Sequence, residues 1–176
     1  MERSSEFMLA FVGLKEGVHQ FNYDIENTFF KTFDFNDFFD AKVKISLTLD
    51  KKSTLLKLNF KAQGSVEVAC DVTDENFDFP IDTNFDWIVK FGDDYNNDND
   101  EILIIPHGSY EIDLAQPVYE MIVLAIPAKI EHPGIEDGTL ESDILNKLEE
   151  LQPKERLLPQ EESDPRWNKL KDLLKQ

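Results

Sequence analysis

Two alternating runs restrict the fold more than any other stretch of the chain. Val43, Ile45, Leu47 and Leu49 alternate with Lys42, Lys44, Ser46 and Thr48. Beyond Asp50-Lys51-Lys52-Ser53, the residues Leu56, Leu58 and Phe60 alternate with Lys57, Asn59 and Lys61. A period of two places every apolar residue of a strand on one face. The runs therefore predict a β-hairpin with Leu49 paired to Thr54, Leu47 to Leu56, Ile45 to Leu58 and Val43 to Phe60. That register sets Lys42 opposite Lys61. A slip by one residue would turn the apolar set towards water.

Further strands follow from the same period. Phe7 to Val12 reads as a first strand closed by Gly13, and His19, Phe21, Tyr23 and Ile25 mark a second after Gly17. The short turn between them leaves a second hairpin open. Thr28 to Phe33 reads as a helical turn, with Phe29, Phe30 and Phe33 on one side. Gly64 leads into Val66, Val68 and Cys70. Ile81, Thr83, Phe85, Trp87, Val89 and Phe91 share one face of a longer strand, and Glu101 to Ile105 is a short one.

Ile112 to Pro127 is different. Leu114, Val118, Met121, Ile122 and Ala125 recur at helical spacing, and Tyr119, Val123, Leu124 and Ile126 fill the sides. A helix apolar nearly all round belongs inside a core. Asp113 with Gln116 resembles a capping box, whereas Pro117 is also a natural first helical residue, so the start is open by about three residues. Pro127 ends it. The run is too short for a bilayer, which needs roughly 20 apolar residues. Later, Leu140, Ile144, Leu148 and Leu151 form an amphipathic stripe.

The expected architecture is α+β. An antiparallel sheet, left free by the pattern to close into a barrel, packs against a buried central helix, with amphipathic helices at the C-terminal end. Residues 1–151 form the core domain, and 152–163, polar and carrying Pro153 and Pro159, a linker. Residues 164–176 form a terminal helix capped by Asp164 and Pro165.

The chain's 176 residues carry a formal net charge of −18. Lysine and arginine contacts to phosphate supply most non-specific nucleic-acid affinity, so no DNA partner is expected, and a basic protein suits the chain better. Cys70 is the only cysteine, which fits a reducing compartment. Met1 to Leu14 has no signal-peptide pattern. The cytoplasm is the expected location, with no membrane contact.

Little in the chain suggests catalysis. Asp94, Asn96, Asp98 and Asp100 follow the first ligands of a calcium loop, but Asn99 stands where glycine is needed and Ile105 where glutamate is. A solvated acidic loop from Asp93 to Asp100 is the better reading. His19, His107 and His132 form no ligand set, and no nucleophile or phosphate-loop motif occurs. No enzyme activity, metal or cofactor is expected. An enzyme site assembled only by the fold is the dissenting reading.

Two groups remain as candidate binding residues. Lys42, Lys44, Lys51, Lys52, Lys57 and Lys61 gather six of the 18 basic residues on one hairpin. They read either as an RNA or anion contact or as a solvated face whose lysines guard an edge. In the tail, Arg166, Trp167, Leu170, Leu173 and Leu174 form a stripe on a helix too short to be stable alone. It either packs on the body or binds a partner groove.

The order of these features resembles the YceD family of large ribosomal RNA subunit accumulation proteins, bacterial proteins with plastid relatives. The similarity lies in the β-rich first half with a cysteine after the hairpin, the Ile112-Asp113-Leu114 lead-in, the Leu124-Ala125-Ile126-Pro127 exit, and Asp164-Pro165-Arg166 followed by Leu170. Many relatives carry a Cys-x-x-Cys pair at the first of these places and more cysteines after the helix. Here Thr73 stands at the second cysteine, and Glu131-His132-Pro133-Gly134 has none, so a zinc site is not carried over. The resemblance implies a role in large-subunit ribosome biogenesis, supporting accumulation of large ribosomal RNA, and supplies no mechanism for it. The lack of catalytic motifs makes the expected factor non-catalytic, and its acidic charge makes a ribosomal protein or pre-ribosomal particle the expected contact, with ribosomal RNA contact secondary. A small protein-binding module unrelated to ribosomes is the alternative.

Overall fold

The computed structural model describes residues 5–99 and 101–151. The alternating runs form strands β3 (Asp40–Lys51) and β4 (Leu55–Ala69), with Val43, Ile45, Leu47, Leu49, Leu56, Leu58 and Phe60 all buried. The face is as expected; the register is not. Leu47 pairs with Phe60, Leu49 with Leu58 and Val43 with Gly64, and Lys61 lies opposite Ser46 rather than Lys42. The ladder is displaced by four positions from the expected pairing. An even displacement keeps every side chain on its face, so alternation cannot distinguish the two. The shifted register tightens the turn, where the Lys52 amide donates to the Leu55 carbonyl at 2.9 Å. It also lets pairing run on from Lys51–Leu56 to Asp40–Glu67.

Strand β2 (Gly17–Glu26) pairs antiparallel with β3, and β5 (Asn76–Gly92) with β4. β5 starts ahead of the expected Ile81, with Phe77 and Phe79 continuing the same inward alternation, and it runs through Pro80. The next strand, β7 (Ile102–Pro106), pairs only with Ile88–Gly92 of β5. The missing amide of Pro80 therefore faces an unpaired edge, where proline is tolerated. β7 runs parallel to β5, and β6 (Asn96–Asn99) lies antiparallel outside it. The sheet order is β2-β3-β4-β5-β7-β6. Among the described residues the sheet is thus mixed rather than antiparallel, with β2 and β6 at its edges, and it does not close into a barrel. Much of the expected acidic loop is the edge strand β6.

The first strand, β1 (Met8–Ala10), does not form a hairpin with β2. It pairs with β8 (Glu111–Asp113) in a separate two-stranded sheet. The Phe11 amide donates to the Tyr110 carbonyl, and the Leu114 amide to the Phe7 carbonyl, extending that pairing at both ends. Phe7 stacks on Tyr23 of β2, which brings the small sheet over the inner face of the large one. The expected helical turn is α1 (Asn27–Lys31), and Phe30 is fully buried against Phe29, Phe35 and Phe38.

The central helix, α2 (Ala115–Leu124), is shorter and less enclosed than expected. Leu114, Val118, Met121 and Ile122 are buried, but Leu124 is 81% exposed. Asp113 ends β8, and its Oδ1 accepts from the Ala115 amide at 2.9 Å, so the helix begins between the two predicted starts. Gln116 donates to the Glu120 side chain one turn on, not back to the cap.

Two short helices follow, α3 (Pro133–Glu136) and α4 (Asp143–Leu151). The described residues divide into two units after Leu140. In the second, Ile144, Leu148 and Leu151 of the expected stripe lie exposed along α4. The linker and terminal helix expected at 152–163 and 164–176 lie outside the described residues, as do Arg166, Trp167, Leu170, Leu173 and Leu174. No helix among the described residues is long and apolar enough to cross a membrane.

Candidate functional site

The six hairpin lysines do not share one face. Lys42, Lys44, Lys57 and Lys61 are exposed on the outer side of β3 and β4. Lys51 has the same parity as Leu47 and Leu49 and points to the other side. Its Nζ donates to the Phe11 and Leu14 carbonyls, both at 2.8 Å, and so fixes the segment between β1 and β2. Lys52 sits in the turn, with its Nζ 3.6 Å from Asp50 Oδ2. A one-residue step in a strand reverses the side chain, which is why six neighbours in sequence are not six neighbours in space.

The outer face is also not uniformly cationic. Across from β3, Asp24 pairs with Lys44 and Glu26 with Lys42. On the far side of β4, exposed Asp78, Asp82 and Asp86 of β5 stand opposite Glu67, Gln63 and Asn59. Lys42 donates to Asp40 at 2.7 Å; this raises the Lys42 pKa and lowers that of Asp40, the hydrogen bond being the largest cause for both. Two lysine columns thus run between two carboxylate columns. Exposed pairs of this kind contribute little to stability but define a patterned polar surface.

A second cluster joins distant turns. Cys70 directly follows β4 in a buried position, and its Sγ accepts from the His132 amide at 3.3 Å. Asp71 both donates to the Ile130 carbonyl and accepts from the Ile130 amide. Burial raises the Cys70 pKa, but donors from Thr73, His132 and Val72 outweigh it, and the thiol ionises below its usual range. The Thr73 hydroxyl is buried and meets no hydrogen-bond partner among the described residues. His132 Nδ1 accepts from the Gly134 amide at 2.9 Å, capping α3. Among the described residues, no three His, Cys, Asp or Glu side chains converge as a metal site.

A cavity of about 670 Å³ opens where α1, the β8–α2 junction and the inner face of β5 meet. Phe33, Phe85 and Trp87 supply aromatic wall, and Glu111, Asp113 and Glu120 supply carboxylates. Little in the sequence marks this site. Its members come from segments as far apart as Phe7 and Glu120, and each has a sufficient local reading as core, strand end or helix surface. The inward parity of Phe85 and Trp87 was the only visible sign.

Residues 58–174 match a family model described as Large ribosomal RNA subunit accumulation protein YceD. The matched segment runs from near the start of β4 through the remaining strands and α2 to Leu174. No curated protein and no solved structure matches the chain.

Proposed function

The chain belongs to the YceD family, and on that premise we propose that it is a non-catalytic factor supporting accumulation of the large ribosomal RNA. The family match over residues 58–174 carries this reading. Its direct contact is a basic ribosomal protein, or an assembly intermediate presenting one. A net charge of −18 repels nucleic acid at long range and attracts cationic protein segments. Lys42, Lys44, Lys57 and Lys61 make a secondary contact to RNA phosphates once the chain is docked. The exposed stripe of α4 and the tail residues from Arg166 to Leu174 add apolar contact to a partner.

Sedimentation of the tagged full chain through a sucrose gradient tests the role. Co-migration with large-subunit precursors, together with reduced large ribosomal RNA on depletion, is the expected result. Absence from those fractions, with normal ribosomal RNA after depletion, overturns it.

A further inference from the structure

We propose that the cavity between α1, the β8–α2 junction and β5 receives an arginine side chain from a basic protein segment; the identity of that segment as ribosomal rests on the assembly role above. Three features select this occupant. The wall combines Phe33, Phe85 and Trp87 with Glu111, Asp113 and Glu120, and among the described residues no basic side chain lines it. A planar guanidinium stacks on aromatic rings and offers a fork of donors to carboxylates, which an ammonium does not.

The carboxylates also have capacity to spare. Asp113 uses Oδ1 on the Ala115 amide, and Glu120 uses Oε1 on Gln116, leaving the second oxygen of each. Glu111 makes no ion pair or side-chain hydrogen bond among the described residues. At about 670 Å³ the space exceeds one guanidinium and its stem, so apolar neighbours of the arginine are accommodated as well. An RNA base would find the same rings but would bring its phosphate towards three carboxylates. The lining chemistry therefore favours a cationic peptide.

Trp87 lines the cavity and reports on it. The chain has two tryptophans, so in full-length Trp167→Phe only Trp87 emits. Titration with an amidated pentapeptide carrying one arginine between leucines should change that emission saturably. Replacing the arginine by citrulline should weaken binding roughly tenfold or more, as should Glu111→Gln combined with Glu120→Gln. Unchanged circular dichroism and melting temperature in the double variant would establish that it folds.

An unresponsive Trp87, equal affinity for the citrulline peptide, or unaltered binding by the double variant overturns the proposal. So does preference for an oligouridylate, or binding that appears only in Arg166→Gln, which would make the chain's own tail the occupant. Failure here with intact sedimentation of the unaltered chain leaves the assembly role standing. Peptide binding without sedimentation removes the ribosomal identity of the partner and keeps the cavity assignment.

Discussion

The amide of His132 donates to the sulfur of Cys70 at 3.3 Å, tying the turn after β4 to one 62 residues further along the chain. With the paired hydrogen bonds between Asp71 and Ile130, it fastens the segment after α2 to the end of the large sheet. Contacts that close so long a loop hold regions that local propensity cannot hold.

Cys70→Ala should therefore destabilise the fold by about 1–2 kcal/mol through lost packing and the lost acceptor. The loss should depend on pH. The folded-state pKa of Cys70 is lowered from the ordinary value of 9.0 by its hydrogen-bond donors, against the effect of burial. Its ionisation then contributes stability that is fully present above the unfolded pKa and fades as pH falls through the folded one. Urea unfolding at pH 7 and pH 9 should show the gap between wild type and Cys70→Ala widening at the higher pH. A gap that is constant or narrows would contradict the donor geometry.

Lys51 and Lys44 should behave oppositely when altered. Lys51→Met removes the side-chain donor to the Leu14 carbonyl and one of two donors to the Phe11 carbonyl, which the Leu14 amide still serves, and should cost about 1–3 kcal/mol in urea unfolding. Lys44→Gln removes an exposed outer-face charge and should stay within about 0.5 kcal/mol of wild type. Equal effects would mean that Lys51 is not the anchor of the β1–β2 segment.

These two lysines also mark how far the sequence could be read. Alternation in Val43 to Leu49 and Leu56 to Phe60 identified the buried face, because burial responds directly to the period of two. It could not fix the offset, since any even displacement gives the same faces, and Ser53-Thr54 lacks a glycine signal that would set the turn. The partner of Met8–Ala10 was hidden for another reason. Gly13 and Gly17 advertise a local hairpin, whereas Glu111–Asp113 lies about a hundred residues away and looks like the start of a helix. The cavity was least visible, because Trp87 and Glu111 become neighbours only through that long-range pairing.

Gly64→Ala tests the observed register directly. A Cβ at Gly64 would lie 2.1 Å from the Lys42 carbonyl oxygen and 2.8 Å from Val43 Cα, both backbone atoms of the paired strand. Neither can rotate away, so β3 and β4 must separate locally. Destabilisation of about 3 kcal/mol or more is expected, at the upper end of overpacking effects. The expected pairing of Val43 with Phe60 would have put no such contact there, and a neutral substitution would favour that earlier register.

Phe30→Ala should cost about 3–5 kcal/mol, the range for removing a fully buried aromatic side chain. Phe30 packs edge-on against Phe29 and Phe38 and lies near Tyr119 of α2. Its removal loosens α1 and α2 together. Amide hydrogen exchange should show both helices losing protection, with the β3–β4 ladder less affected. Loss confined to α1 would mean that α2 is held by other contacts.

The outer lysine columns give the last test. Changing Lys42, Lys44, Lys57 and Lys61 together to Gln leaves the buried face untouched, because all four are exposed and none packs into the core. Stability should hold within about 1 kcal/mol. If all four meet phosphates in the docked particle, association with large-subunit RNA should weaken, and its dependence on log salt should flatten by about 3, at roughly 0.7–0.9 per contact. The carboxylates of Asp24, Glu26, Asp78, Asp82 and Asp86 remain on both flanks, with Lys90 the remaining cation of β5 on that face, so the variant face becomes predominantly acidic and RNA attraction should fall sharply. Filter binding from 50 to 200 mM salt measures the slope. Unchanged affinity and slope would assign these lysines to solvation of an open sheet face and leave all partner contact to other surfaces.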